Sequence, residues 1–242
     1  MSPAEVRFAA PLVPARLIRR YQRFLADMAL DSGATVTAHC PNPGSMMGLA
    51  DPGLRCWLEP TPDPRRKLDF AWRLVELPGG HMAGIDATLP NRLVGRALRE
   101  HQLPQLSGFD AMRAEVRYGA ASRVDFLLTG PDGQTFVEVK NVHLRRSGDW
   151  AEFPDCVTAR GARHLDELAG MVRAGQRAVL LYLVQRTDCA RLRLAADLDP
   201  GYARAAAAAR QAGVEFLAWG THITPEAVTL ADQLTVAPPV AE

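Results

Sequence analysis

The stretch from Arg123 to Lys140 constrains this chain more than any other, because its turn fixes the register of two strands. Arg123-Val124-Asp125-Phe126-Leu127-Leu128 and Thr135-Phe136-Val137-Glu138-Val139-Lys140 are β-prone runs, and Pro131-Asp132-Gly133 lies between them. Proline presets φ, aspartate turns easily and glycine accepts positive φ, so the segment predicts a β-hairpin. With Gly130 to Gly133 as the loop, Thr129 faces Gln134, and the same register sets Asp125 opposite Glu138. Side chains alternate along a strand, so Lys140 projects from the face of Glu138. Two carboxylates facing each other across strands repel. A divalent cation between them reverses the sign of that interaction, since hard cations such as magnesium take carboxylate oxygens. A lysine beside them can hold a phosphate or a metal-bound water. Asp, then Glu-x-Lys on the next strand, outlines a phosphodiester-cleaving site. Against this stands a plainer reading: Glu-x-Lys on a strand commonly marks a solvated face, and only the parity of Asp125 sets this one apart.

The rest of the chain has to house such a hairpin. Its 242 residues suffice for one or two domains and a sizeable core. Lys plus Arg number 28 and Asp plus Glu 27, so any nucleic-acid surface must be local. The 4 cysteines, at positions 40, 56, 156 and 189, form no close pairs. They suggest neither a zinc cluster nor a disulfide framework, and a reducing cytosol fits them. There is no long apolar N-terminal segment and no run of transmembrane length. The expectation is a soluble, cytoplasmic protein with no membrane partner.

The first third predicts short strands broken by turns: Leu12 to Ile18, Arg23 to Leu30, Ala34 to Cys40, Leu54 to Leu58, Arg73 to Leu77 and His81 to Ile85. Many short strands with little helix suggest a small five-stranded barrel of the oligonucleotide-binding (OB) type, over residues 1–85. Pro41-Asn42-Pro43-Gly44 must be a rigid loop. Arg65-Arg66-Lys67 precede Phe70 and Trp72, and basic residues interleaved with aromatics suit a nucleic-acid surface. A solvated basic loop beside core aromatics explains the same pattern, and Trp72 is assigned to the core.

From Pro90 the texture changes to that of an α/β domain over residues 86–242. A helix is expected from Asn91 to Leu103, a short strand at Glu115 to Tyr118, and then the hairpin. Arg145 to Asp149 suggest a polar, mobile connection. Thr158 to Ala174 form an amphipathic helix, with Gly161, Leu165, Leu168 and Val172 on one stripe, Thr158 inside it and His164 on its border. Ala178 to Val184 is a buried strand, Pro200 to Ala212 a helix, and Val214 to Trp219 a strand, before a tail that looks frayed.

Taken together, Pro41-Asn42-Pro43-Gly44-Ser45-Met46, Arg66-Lys67, Pro90-Asn91-Arg92-Leu93, Glu115-Val116-Arg117-Tyr118-Gly119, Arg123-Val124-Asp125-Phe126, Glu138-Val139-Lys140 and the run from Phe153-Pro154-Asp155 to His164-Leu165 resemble the sugar fermentation stimulation protein A (SfsA) family. The resemblance covers nearly the whole chain. It implies an N-terminal OB-type barrel, a restriction-endonuclease-like C-terminal α/β domain of the PD-(D/E)xK type, and DNA binding. In that nuclease superfamily the residues matching Asp125 and Glu138 bind metal and the one matching Lys140 is catalytic, while Glu115 is placed as a further carboxylate. Two positions depart from the family pattern: Pro43 stands in place of threonine and Asp86 in place of asparagine.

Two functions of different kind follow as expectations. One is a nuclease using Mg2+ or Mn2+, with Asp125, Glu138 and Lys140 as its catalytic residues and Asp125, Glu138 and Glu115 around the metal. Its nucleic-acid contacts would come from Arg65, Arg66, Lys67, Asn42, Thr158 and His164. The other is a regulator of sugar-metabolism genes that grips DNA and keeps the nuclease fold without turnover. A scaffold that binds neither DNA nor metal has little in the sequence to support it.

Overall fold

The computed structural model describes residues 2–63, 65, 67–119 and 122–238. Its first strand, β1 (Glu5–Arg7), joins the second domain, where it pairs antiparallel with the last strand of the chain. The barrel follows from β2 (Val13–Tyr21), β3 (Leu25–Leu30), β4 (Thr35–His39), β5 (Arg55–Pro60) and β6 (Phe70–Leu77), in the order β4-β3-β2-β5-β6. Parallel pairing of Ala38 with Phe70 and His39 with Ala71 closes these five strands into a ring, and closure removes the free edges that would otherwise pair with other chains. β7 (His81–Gly84) continues antiparallel from β6. Alternation turns Ala15, Leu17, Ala26, Met28 and Leu58 into the barrel. Trp72 is fully buried there, its indole N–H donating to the Leu74 carbonyl at 3.0 Å, as the sequence predicts for a core aromatic.

The second domain carries α1 (Leu89–Arg99), β8 (Ala111–Tyr118), β9 (Ser122–Gly130), β10 (Gly133–Val142), β11 (Trp150–Phe153), α2 (Ala159–Arg173), β12 (Arg177–Val184), β13 (Arg191–Leu194), α3 (Pro200–Gln211), β14 (Glu215–Ile223) and β15 (Ala227–Val236). Its sheet runs β11-β13-β15-β14-β12-β10-β9-β8, with β1 beside β15. The central strands β10, β12 and β14 are parallel. β12 reads as a continuous apolar run because it is covered twice. Val179, Leu181 and Leu183 pack with α1 residues, while Ala178, Leu180 and Tyr182 pack with α2 and α3. Cutting one of these to alanine, as in Leu181→Ala, would cost about 2–5 kcal/mol. Helix α1 begins at Leu89 and ends at Arg99, earlier at both ends than the expected Asn91 to Leu103, while α2 and α3 begin where the sequence predicts. Thr158 caps α2 by accepting the Gly161 N–H at 3.1 Å. Asp199 caps α3 from Tyr202 at 2.9 Å and also accepts the Thr158 N–H at 2.7 Å, locking the two starts together.

Four strands were not anticipated, the first being β1. β11 and β13 are only four residues each, too short for periodicity to register. β15 replaces the expected frayed tail and spans ten residues. The connection expected to be mobile is pinned instead: Arg146 reaches Glu152 at 2.6 Å and Asp197 at 2.5 Å, and Arg145 reaches Asp188 at 2.6 Å.

Barrel and sheet dock through the proline-rich loop. Ser45 donates to the Asp155 carbonyl at 2.8 Å and the Met46 N–H to its carboxylate at 3.2 Å. Gly44 is required by this approach, since a Cβ there would lie 2.5 Å from Asp155 Oδ2. Arg20 braces the loop from beneath, donating to the carbonyls of Asn42 and Gly44 at 2.8 and 2.9 Å.

Candidate active site

The hairpin takes the register its turn predicts, with Gly130 opposite Gly133, Thr129 opposite Gln134, and Phe126 opposite Val137. That last pair ends the ladder, and one step further would set Asp125 against Glu138. At this point the Asp125 carboxylate takes over from backbone pairing. Its Oδ2 accepts the Val139 N–H at 2.7 Å, and its Oδ1 accepts the Asn91 side-chain amide of α1 at 2.6 Å. Burial, and then the negative charge of Glu138, push the Asp125 carboxyl up to about 6, against the pull of these hydrogen bonds.

Glu138 is 3% exposed. Both of its donors converge on one oxygen: Oε1 accepts Lys140 Nζ at 2.7 Å and the Nδ1 of His164 from α2. The His164 ring is itself backed by Arg160, whose Nε donates to His164 Nε2 at 3.3 Å. A guanidinium only donates, so Nε2 is the acceptor and the ring proton sits on Nδ1, directed at Glu138. Burial pushes Glu138 up, but the His164 bond and the Lys140 charge outweigh it and hold the carboxyl below its ordinary value. Its Oε2 is shielded from solvent and has no hydrogen-bond partner. Leaving a buried charged acceptor unmade costs on the order of 1–3 kcal/mol or more. The site is thus built to present one oxygen of Glu138, with the carboxylate of Asp125 beside it. Two adjacent carboxylates with an unspent oxygen are the donor chemistry of a hard divalent cation, which completes its shell with water.

The other residues singled out by sequence fall in three places. Glu115 lies opposite Asp125 along β8–β9, bracketed by the pairs Ala114–Phe126 and Val116–Val124. It has positive φ and is exposed, and it makes none of the hydrogen bonds that hold Asp125. Among the described residues no group of three or more His, Cys, Asp or Glu side chains is gathered to hold a metal. The expectation of Glu115 as a third ligand is therefore corrected. Asn42 is buried, its amide donating to the Ile85 carbonyl at 2.8 Å and its oxygen accepting the Gly44 N–H at 2.8 Å. It ties the loop and offers nothing to nucleic acid. His164 faces the sheet rather than a phosphate, and Thr158 spends its hydroxyl on the helix cap. In the β5–β6 connection Arg65 and Lys67 are exposed, with Arg65 paired to Asp63 at 2.9 Å; Arg66 lies outside the described residues. A cleft of about 350 Å3 separates this connection from α1, walled by Asp63, Arg7, Arg73 and Arg92.

Sequence reasoning missed three pairs of residues that the fold assembles here. Asn91 and Arg160 fix the carboxylate and the imidazole described above. Arg117 and Arg123 face each other directly across β8 and β9, both exposed, and neither is in an ion pair among the described residues. Like charges placed so repel unless an anion lies over them. Tyr118 and Glu167 complete the surroundings of Glu138. Only the arginine pair had a readable signal, since the hairpin's parity extends to the strand before it.

Known proteins align with this architecture along nearly its whole length. The model of the sugar fermentation stimulation protein RE domain matches residues 88–227, and that of the SfsA N-terminal OB domain matches residues 18–85. A sugar fermentation stimulation protein homolog of Jannaschia sp. is 63% identical over 235 residues, covering 96% of this chain and 98% of that one. The homolog of Dinoroseobacter shibae is also 63% identical, covering 96% of each. A structure of Pyrococcus furiosus SfsA in complex with Ca2+ superposes with a TM-score of 0.87 at 28% identity, covering 98% of this chain and 100% of that one.

Proposed function

The chain belongs to the sugar fermentation stimulation protein family, and from that premise we propose a DNA-binding protein that hydrolyses phosphodiester bonds at Asp125, Glu138 and Lys140 with a divalent cation. The observation that carries this reading is the unpartnered, buried Oε2 of Glu138 beside the raised carboxyl of Asp125. The Pyrococcus furiosus relative was solved with Ca2+, a cation that takes oxygen ligands; here Asp125 and Glu138 would hold Mg2+ or Mn2+. Such an ion activates water and neutralises charge on a phosphate.

The chain's own residues do the rest. Asn91 and the Val139 N–H hold the Asp125 carboxylate, so that it is already oriented when substrate arrives. His164 and Lys140 do the same for Glu138 by occupying Oε1. Lys140 has a second task. Its ammonium is partly buried beside the carboxylates, where it meets negative charge growing on the phosphoryl oxygens. Contacts that strengthen toward the transition state are the ones that raise the rate.

DNA would be gripped by the barrel and by the exposed arginine pair. Arg117 and Arg123 stand next to the carboxylate strand and suit a phosphate backbone. The regulator reading shares this grip and differs only in turnover. The test is to incubate the purified protein with single- and double-stranded DNA in magnesium, manganese or chelator, beside Glu138→Gln. Metal-dependent cleavage that Glu138→Gln abolishes is expected. Tight DNA binding with no cleavage under any metal would overturn the nuclease and leave the regulator.

A further inference from the structure

Among the described residues the large apolar side chains left exposed are Ile18, Phe24, Met47 and Val157, and the last three flank one seam. Arg20 gathers that seam by donating to the carbonyls of Arg23, Asn42 and Gly44 at 2.9, 2.8 and 2.9 Å. The turn between β2 and β3 therefore lies against the proline-rich loop, which runs on to Met47. That loop holds Asp155 through Ser45 and Met46, and Val157 follows shortly before α2 begins. The turn that presents Phe24 is strained. Tyr21 pairs with Leu25 across it, and inside it Gln22 and Arg23 take φ of 47° and 62°. Side chains with a Cβ avoid that region, which is left-handed. Such strain persists only where the surroundings over-determine it, and it gathers at ligand sites. Here Arg20 takes the Arg23 carbonyl, and the Cys40 N–H takes that of Phe24 at 2.8 Å. What the turn delivers is a ring 46% exposed. It lies nearly parallel to His39 of β4, at an interplanar angle of 21° with centroids 6.5 Å apart. Arg23 stands beside it, exposed and in no ion pair among the described residues. A flat ring backed by a second ring, with a cation alongside, matches a nucleotide: the base meets the ring and the phosphate meets the guanidinium.

We propose that Phe24, backed by His39, is a stacking platform for an unpaired base, with Arg23 on the neighbouring phosphate, so that the DNA this protein takes carries a single-stranded segment. This rests on the DNA-binding reading above. In a duplex both faces of a base are covered by its neighbours, and a ring can stack only on a base that has left the helix. Every base has a π-face, so the platform selects strand state and is tolerant of sequence. Its place in the fold gives it a use. The seam that Phe24 flanks is where α2 starts, and α2 carries His164 to Glu138. A strand anchored at Phe24 is thereby held on the side of the barrel that meets the carboxylate domain.

The probes are an oligothymidine, which has no duplex structure, and a mixed-sequence duplex of equal length. Each is titrated into the full chain in chelator at one salt concentration and read by fluorescence anisotropy. Phe24→Ala should weaken the oligothymidine about ten-fold, as expected for the loss of one stacked base, and leave the duplex within about two-fold. Phe24→Leu keeps apolar bulk but has no ring face, and should lose as much as alanine. Phe24→Trp should hold or tighten the single strand. Phe24 is exposed, so these variants should fold, and their melting temperatures check it. Equal losses on both probes, or Phe24→Leu binding the single strand as wild type does, would overturn the platform and leave the DNA-binding reading in place. Self-association of wild type that Phe24→Ala abolishes, with DNA affinity untouched, would assign the patch to a second copy of the chain and overturn it too. No binding of either probe by wild type, with or without Mg2+, would remove the DNA-binding reading and the platform with it.

Discussion

Glu152 in β11 and Glu138 in β10 belong to one sheet, and their side chains are 1% and 4% exposed. Around Glu152 every oxygen is answered. Arg146 donates to Oε2 at 2.6 Å and Arg193 to Oε1 at 2.8 Å, with a longer contact of 3.3 Å from Arg146 to Oε1. Burial opposes the Glu152 charge, but the bonds from Arg146 and Arg193 outweigh it and hold the carboxyl below its ordinary value. Around Glu138 two donors crowd onto Oε1 and Oε2 is left bare. Burial of a carboxylate is common to both. What separates a fastening from a candidate site is how its lone pairs are distributed.

The largest effect expected from this contrast is on turnover. Lys140→Ala should lower DNA cleavage by on the order of 10²–10³, the loss typical of one preorganised donor, while DNA affinity stays within a few-fold. Glu138→Gln should bring cleavage to background. Glu152→Gln should leave cleavage within about three-fold, because it touches no group of the site. Equal losses in Glu152→Gln and Glu138→Gln, measured on folded protein under saturating metal, would collapse the contrast.

Stability should invert the order. Glu152→Gln removes charge-assisted bonds to two arginines and should destabilise the fold by about 1–3 kcal/mol, read as a lower melting temperature. Glu138→Gln in chelator should cost less than half as much, since it also relieves the repulsion on Asp125. A larger cost at Glu138 than at Glu152 would mean that Glu138 is the fastening.

A third, smaller effect sharpens the contrast through pH. Asp125 titrates near 6 in the folded protein, above the ordinary aspartate value, because burial and Glu138 oppose its charge. The native state therefore holds a proton that the unfolded chain releases. Its contribution to stability is present at and below the ordinary aspartate range and is lost as pH rises through about 6. In chelator, wild type should lose stability over that window relative to Asp125→Asn, and added Mg2+ should restore it at pH 7 by binding the native state. Parallel stability curves for the two proteins would show that Asp125 is not strained.

Much of this was legible in the chain. Pro131-Asp132-Gly133 fixed the hairpin register and with it the approach of Asp125 to Glu138 and Lys140; turn chemistry and period-two alternation are local rules that tertiary structure left intact. The barrel's strands were readable for the same reason. What failed depended on docking. His164 sits on the border of its helical stripe, and only the seating of α2 on β10 turns it toward Glu138. Asn42 in a proline-rich loop looks like an exposed contact until Ile85, from the barrel's end, takes its amide. Glu115 came only from the family resemblance, and in the fold its backbone has positive φ and the residue is exposed. Tyr118 and Glu167 carry no signal at all, because an unsatisfied oxygen exists only once its neighbours are known. β15 was the avoidable miss: Val228 and Leu230 alternate as a strand should, but the partner β1 comes from the other end of the chain.

The smallest effect compares the two basic surfaces, and it decides which of them faces DNA. Each phosphate neutralised releases counterions, and the logarithm of affinity falls against the logarithm of salt with a slope of about −0.9 per contact on duplex DNA. Arg65 is 88% exposed but already shares its charge with Asp63, so its net pull on a phosphate is reduced. Arg117 and Arg123 have no such counter-charge among the described residues and repel each other when no anion is bound. Arg117→Ala and Arg123→Ala should therefore each reduce the slope by nearly a full contact, with Arg65→Ala giving about half that or less. The two arginines should also be less than additive in stability without DNA, since removing either relieves the repulsion. Titrations from low to physiological salt read the slopes directly. If Arg65→Ala flattens the slope and the β8–β9 pair does not, DNA is held by the barrel alone, and the carboxylates of β9 and β10 lie away from it.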